Sequence, residues 1–246
     1  MRRFFTTPDE LTQDEVVITG DEFHHLKNVS RLEVGELVEL LDGAGHIARC
    51  KIVKLEKRSA TLEVLERKLL PRPGFPRVEI VLCLPRFQKM DLIIQKAVEL
   101  GAAQITPVVS DRSFLKTLTH GLFEKTSRWA KIATEANKQS GRAWPLTIEK
   151  PTELSKLISS EQAGRSLFLY EGEGAVDIKT ALNSFKEVPE SIKVFIGAEG
   201  GFSPNEVENF RGHGLMPITM GPLVLRVETA CIAILSVIEY HFNLMC

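Results

Sequence analysis

The chain has 246 residues, a hydrophobic fraction of 43% and a net charge of −1. That length suits one large domain or two smaller ones, and the apolar content is ample for a packed core. Its four cysteines (Cys50, Cys83, Cys231, Cys246) are scattered and form no CxxC pair, which argues against a metal site or a disulfide framework and for a reducing compartment.

The N-terminus, MRRFFTTPDE, is basic but lacks the apolar run of a signal peptide. No stretch is long and apolar enough to suggest a membrane span, so a cytoplasmic protein is expected. Charge is uneven along the chain. Residues 1–76 hold 12 Lys/Arg and 13 Asp/Glu, residues 77–150 hold 12 and 7, and residues 151–246 hold 7 and 12. A basic middle third could face nucleic acid, or it could be a solvated helical surface.

The first 70 residues read as mostly β. RRFF and VVITG are short extended pieces, and ELVELLDGAGHIARCKIVKLEK (36–57) predicts two strands around the turn Asp42–Gly45. SATLEVLER (59–67) alternates as a half-buried strand. DEFHHLKNVSRL (21–32) predicts one helix with Phe23, Leu26 and Val29 on a shared face. The pair His24-His25 has no Cys or carboxylate at metal spacing, so a helix-surface or barrel-packing role is expected for it. Together these elements suggest a small barrel (1–70), followed by a proline-rich linker, 71–77.

From residue 78 to 246 the rhythm changes to alternating strands and helices. VEIVLCLP, QITPVVS, SLFLYE, IKVFIG and LMPITMG predict apolar strands. Helices are expected over 89–101, over 122–141 with Trp129, Ile132, Ala133 and Ala136 on one face, and over 226–242. This is an α/β pattern with a mainly parallel sheet covered on both faces. The last helix carries Cys231, Ile232, Ile234, Leu235, Val237 and Ile238 around most of its circumference. Core burial accounts for most of that, and a homodimer interface for the rest.

Chemistry is expected beyond the carboxyl ends of parallel strands. Three such ends carry unusual residues: LYEGEGA (169–175), IGAEGGF (196–202) and TMGPLVLRVETA (219–230). In the second, Ser203-Pro204-Asn205-Glu206 reads as a capping box that starts a helix, so the segment is strand, glycine loop, helix. Such loops often hold phosphate, but Glu171, Glu173, Glu199 and Glu228 against Arg226 make this ground acidic. A cationic ligand with hydroxyls and amines, such as S-adenosylmethionine, suits it better. A plain strand-to-helix turn is the competing reading.

FIGAEGGFSPNEVE followed by MGPLVLRVETA resembles the two C-terminal motifs of the 16S rRNA (uracil(1498)-N3)-methyltransferase family, in the knotted SPOUT superfamily. HHLKNVSRLEVGE, LDGAGH, KMDLIIQKAVELGAAQITPVVSDRS and WAKIATEANKQSGRAWP agree, in order, over nearly the full chain. The resemblance implies a PUA-like β-barrel that binds RNA and a SPOUT α/β domain whose C-terminal chain forms a trefoil knot. It also implies a homodimer and an S-adenosyl-L-methionine-dependent enzyme that methylates N3 of a uridine in 16S rRNA of the small ribosomal subunit. Carried over by motif, the cofactor-binding residues are Leu169, Tyr170, Ile196, Gly197, Ala198, Glu199, Gly200, Gly201, Met220, Gly221, Leu223, Leu225 and Arg226. The RNA-binding residues are Arg31, Lys89, Arg112 and Arg142, with Lys27 and Lys138 as lesser candidates. This chain departs from the family at Ala198 (usually proline), Leu223 (usually arginine), Val227 (usually threonine) and Ser30 (usually leucine).

The uracil N3 must lose a proton before it becomes a good nucleophile. Arg226 is the candidate for stabilising the resulting anion, and Glu199 and Glu228 are the candidate bases. Glu228 also begins a helix, where the dipole alone favours a carboxylate. Two alternatives stand beside this reading: a related SPOUT enzyme acting on another base or a ribose hydroxyl, and an RNA-binding assembly factor with an inactive pocket.

Overall fold

The computed structural model describes residues 1–159 and 165–244. The chain separates into two compact units. One comprises residues 1–72 and 135–145, and the other residues 73–134 and 146–246.

The first unit is built on a five-stranded sheet. In chain order it contains β1 (Arg2–Phe5), α1 (Pro8–Leu11), β2 (Glu15–Thr19), α2 (Gly20–His24), a single π turn (His25–Val29), β3 (Leu37–Leu41), β4 (His46–Leu55) and β5 (Ser59–Leu69). The strand order is β1-β3-β4-β5-β2. The β3–β4 hairpin forms where the Asp-Gly turn predicts it. Asp42 Oδ1 accepts the amides of Ala44 (2.7 Å) and His46 (3.0 Å), while Gly43 and Gly45 take positive φ. Alternation along the strands buries Phe4, Val16, Val38, Leu40, Ile52 and Leu62 on one face, closed by Phe23 and Leu26 of the inserted helix. His25 packs edge-on against Phe4, in the expected packing role.

Val29, in contrast, leaves the apolar face and is 62% exposed. The π turn adds a residue to that turn, so the helical spacing that aligned Phe23, Leu26 and Val29 no longer holds.

Residues 135–145 complete this unit. Lys138 is buried, with its Nζ 2.6 Å from Glu22 Oε1 and 2.9 Å from Glu135 Oε1. Lys138 is thus an internal ion-pair partner, whereas the sequence had offered it as a surface cation for RNA. Arg3 donates to the carbonyls of Lys138 and Gln139 and to Glu39. The Trp144 indole N–H donates to the Pro71 carbonyl (3.0 Å), and its ring lies against Gly45. A Cβ on Gly45 would stand inside the van der Waals shell of that ring.

The second unit is an α/β layer structure. It contains β6 (Arg77–Cys83), α3 (Phe87–Glu99), β7 (Gln104–Val109), α4 (His120–Ser140, whose last turns belong to the first unit), β8 (Thr147–Ile148), β9 (Thr152–Glu153) and α5 (Leu154–Ile158). There follow β10 (Ser166–Leu169), β11 (Val176–Asp177), α6 (Ile178–Asn183), β12 (Ser191–Ile196), α7 (Pro204–Gly212), β13 (Met216–Thr219) and α8 (Val227–His241). The sheet order is β11-β13-β10-β12-β6-β7-β8, with β9 also on β7, and every described pairing is parallel. Near-continuous apolar strands such as β6 and β12 are what a sheet covered on both faces requires. On one side Phe168, Phe195, Phe202 and Phe210 form an aromatic cluster, with Phe168 and Phe210 stacked at 4.7 Å. Helix α8 buries Cys231, Ile234, Leu235 and Ile238, while Ile232 and Val237 are half-buried. No helix among the described residues is long and apolar enough to cross a membrane.

Candidate active site

The sheet order decides the site. Strands β13, β10 and β12 are neighbours and run parallel, with Leu169 opposite Ile218 and Phe168 opposite Phe195. The three unusual strand ends therefore emerge side by side at one edge of the sheet, where open α/β folds bind ligands.

The glycine loop after β12 doubles back on itself. Gly201 N–H donates to Ala198 O at 2.9 Å, Ala198 and Gly201 form an isolated bridge, and Gly201 takes φ 66°. A Cβ at Gly197 would lie 2.8 Å from Gly201 Cα, so the two arms of the loop close only around glycine. Helix α7 then starts at the capping box. Ser203 Oγ accepts the Glu206 amide (3.2 Å), and Glu206 Oε2 accepts the Ser203 amide (2.7 Å). Glu206 Oε1 also accepts the Asp111 amide (2.8 Å), and Ser203 Oγ donates to Asp111 Oδ2 (2.6 Å). The cap thus ties the loop after β7 to the glycine loop. Next to it, Arg112 Nη1 donates to Gly200 O at 2.8 Å.

A small cavity at the neighbouring strand ends is lined by Leu169, Glu171, Ile218, Thr219, Met220, Leu223, Leu225 and Ala230, and the glycine loop contributes no lining residue. It draws on the end of β10, the end of β13 and the turn into α8. Gly221 takes φ 119° in that turn, with Thr219 Oγ1 hydrogen-bonded to its amide and carbonyl. Tyr170 donates its amide to Ile218 O, and its ring sits beneath the Arg211 guanidinium at 5.8 Å. Leu223 and Val224 are 76% and 82% exposed. Ala198 and Val227, both departures from the family pattern, are buried apolar packing residues.

The carboxylates meet a cation that comes from far upstream. Lys89, in the first turn of α3, places Nζ 3.3 Å from Glu199 Oε1 and 3.2 Å from Glu228 Oε2. Glu199 Oε1 also accepts the Arg86 amide at 3.3 Å. Burial alone would push the Glu199 carboxyl up, but its own amide, the Arg86 amide and Lys89 together hold it below the ordinary glutamate value. For Glu228 burial again acts upward and is outweighed by its own amide, Lys89 and Arg226. Both are therefore ionised at neutral pH. Arg226, the N-cap residue of α8, is exposed.

Among the residues expected in the cofactor site, Leu169, Met220, Leu223 and Leu225 line the cavity, whereas Tyr170, residues 196–201, Gly221 and Arg226 lie at the same strand ends without lining it. Of the expected RNA contacts, Lys89 and Arg112 sit at the glycine loop, whereas Arg31 (φ 54°) and Arg142 belong to the first unit. Sequence reasoning placed Glu206 in the capping box but did not foresee its bond to the Asp111 amide or the link from Lys89 to both glutamates. A capping box announces Glu206 locally, but nothing local announces its second partner. No cluster of His, Cys, Asp or Glu that could hold a metal ion occurs among the described residues.

A parallel α/β sheet with a glycine loop and acidic side chains at the ends of its strands, on a chain that also carries a small β unit, defines a two-unit α/β class with a candidate ligand site at the sheet edge. Residues 73–239 match the RNA methyltransferase domain model, and residues 18–65 match the RNA methyltransferase PUA domain. The chain belongs to the RNA methyltransferase family. It is 32% identical to ribosomal RNA small subunit methyltransferase E of Aquifex aeolicus, over 91% of this chain and 93% of that one. It is 31% identical to the protein of the same name from Bacillus subtilis, over 100% and 98%. A structure described as a methyltransferase of Legionella pneumophila with bound S-adenosylmethionine superimposes with a TM-score of 0.88 at 25% identity, covering 97% of each chain.

Proposed function

We propose that the protein is an S-adenosyl-L-methionine-dependent methyltransferase that modifies N3 of a uridine, position 1498, in 16S rRNA of the small ribosomal subunit. The observation that carries this reading is the side-by-side emergence of β13, β10 and β12, which joins the glycine loop to the turn before α8.

The residues present suit the cofactor. Leu169, Ile218, Leu225 and Ala230 offer apolar faces to a purine ring. The strand ends offer main-chain donors and acceptors, which the glycines let a ligand approach closely. The surrounding carboxylates suit a sulfonium cation better than a phosphate. S-adenosylmethionine would supply an electrophilic methyl group.

The chain's own tasks are to hold the uracil in line, to exclude water and to manage one proton. Glu199 and Glu228 are in the ionised form that a base requires, but their depressed pKa makes them weak bases. Proton removal by either succeeds only if the uracil anion is stabilised at the same moment. Arg226, on the turn beside the cavity, takes that role. The first unit and Arg31, Arg112 and Arg142 are proposed to meet RNA phosphate, with the target uridine splayed out of its fold. A homodimer, a cytoplasmic location and a knotted path for the C-terminal chain belong to the same proposal. So does a domain division at the 71–77 linker.

The test is mass spectrometry of small-subunit rRNA from cells lacking the gene, paired with calorimetry of the purified protein and S-adenosylmethionine. Loss of one uridine N3-methylation together with saturable binding is expected. Survival of every uridine methylation would remove the assigned activity.

A further inference from the structure

Lys89 has a setting unlike that of a surface phosphate contact. Its side chain is 27% exposed, and its ammonium approaches Glu199 of the glycine loop and Glu228 of α8. These residues are far apart in sequence, on α3, on the loop after β12 and on the first turn of α8. Glu228 Oε2 is shut off from solvent, and the Lys89 ammonium meets it at 3.2 Å. Two carboxylates sharing one ammonium would repel each other in its absence, and repulsion between neighbouring acids raises the pKa of one of them.

We propose that Lys89 is a positioning residue of the methyl-transfer site: its ammonium clasps the glycine loop to the start of α8 through Glu199 and Glu228, and keeps both carboxylates charged. Other charged and titratable groups facing the pair do not replace it. Arg226 acts on Glu228 across the turn. Arg86 reaches Glu199 only through its main-chain amide. Arg112 turns Nη1 to the Gly200 carbonyl rather than to either carboxylate, and Cys231 of α8 is a buried neutral thiol. A clasp of this kind ties the loop that follows β12 to the first turn of α8, and the turn that leads into α8 lines the cavity. The inference concerns the site of the proposed methyl transfer and rests on that reading for its catalytic consequence, though not for its electrostatic one.

The test compares wild type, Lys89→Met and Lys89→Arg. Ligand-free protein is melted across a pH series from about 4 to 8. In wild type the two depressed carboxyls add stability that is present above the ordinary glutamate range and lost as pH falls through their lowered values. In Lys89→Met that loss should begin about one pH unit higher, and Lys89→Arg should restore the wild-type curve at least in part. With small ribosomal subunits as substrate, Lys89→Met should lower kcat about 10- to 100-fold and shift the acid limb of the kcat profile upward, leaving KM for the subunit nearly unchanged. Calorimetry should show S-adenosylmethionine binding about 10-fold weaker. A raised KM with a reduced salt dependence and an unmoved acid limb would make Lys89 an RNA contact and overturn the proposal. If Lys89→Met does not fold, adding Glu228→Gln should restore folding by removing the unbalanced charge. A double variant that stays unfolded also overturns it. Wild type that binds no S-adenosylmethionine would defeat the functional reading alone, because the pH-dependent melts still decide the clasp.

Discussion

Gly197 and Gly201 lie so close that a Cβ on the first would stand 2.8 Å from the Cα of the second. The loop at the edge of the sheet is therefore held in shape by the lack of a side chain, and the neighbour that would have to yield is main chain. Gly197→Ala should leave the core intact, since Val194, Phe195 and Ile196 before it are fully buried in the sheet. It should weaken S-adenosylmethionine binding by at least about 10-fold, equivalent to roughly 1.4 kcal/mol. Calorimetry beside a thermal melt checks this. Normal affinity in the variant would show that the loop's closure does not matter to the ligand.

Arg226 occupies the N-cap position of α8 without a side-chain capping bond, is exposed, and acts electrostatically on Glu228. If it stabilises a uracil anion, Arg226→Ala should lower kcat by about 100-fold or more while changing donor affinity only severalfold. Single-turnover assays with small subunits, together with calorimetry, separate the two effects. Near-normal turnover would sink the assigned role.

Ser203 closes the capping box and also donates to Asp111, so one hydroxyl serves two elements. Ser203→Ala should destabilise the protein by about 1–2 kcal/mol, the upper part of the range for an N-cap. Denaturant unfolding measures it. A loss of only a few tenths would mean that the link to Asp111 adds nothing to the cap.

Lys138 is buried between Glu22 and Glu135. Removing it alone leaves carboxylates without their counter-charge, but Glu135 is 59% exposed and solvates readily, so Lys138→Met should cost about 1 kcal/mol. Lys138→Met combined with Glu22→Gln should recover part of that loss. Burial pushes the lysine's pKa down, but its bonds to Glu22 and Glu135 outweigh burial and raise it above the ordinary value. A raised lysine contributes fully below its unfolded pKa and loses that contribution as pH rises through the folded one. The penalty should therefore be constant near neutral pH and shrink as the lysine deprotonates in strong alkali.

Cys50, Cys83 and Cys231 are buried, and burial pushes their thiols up, to about 12 for Cys50 and Cys83. The thiolate is the reactive form, so these three should resist a disulfide-exchange reagent near neutral pH and react only on unfolding. Counting labelled cysteines by mass spectrometry, native against denatured, is the measurement. Rapid native labelling of any of the three would contradict the packing.

Much of the local structure was legible in the residues. The Asp42 turn, the Ser203 capping box, the apolar strands and the glycine loop each depend on neighbours a few positions away, and short-range sterics and hydrogen bonding decide them. The C-terminal motifs carried the resemblance because their glycines and their arginine are chemically unusual in a small window. Where local geometry deviated, the reading slipped, as at Val29, which one π turn rotated off the apolar face.

The partners of these elements were a different matter. An apolar strand pattern states that a strand is buried but not which strand lies beside it, because parallel neighbours present the same backbone edge. Only the assembled sheet puts β13, β10 and β12 together and so makes one site of three strand ends. The same holds for side chains that find their partners at long range. Lys89 reads on a helix as one cation among many, and Lys138 likewise. The folded chain turns the first toward Glu199 and Glu228 and buries the second against Glu22. The residues determine which charges exist. The tertiary structure decides which of them meet, because the energy of an ion pair depends on separation and burial in space, and neither is written in the order of the chain.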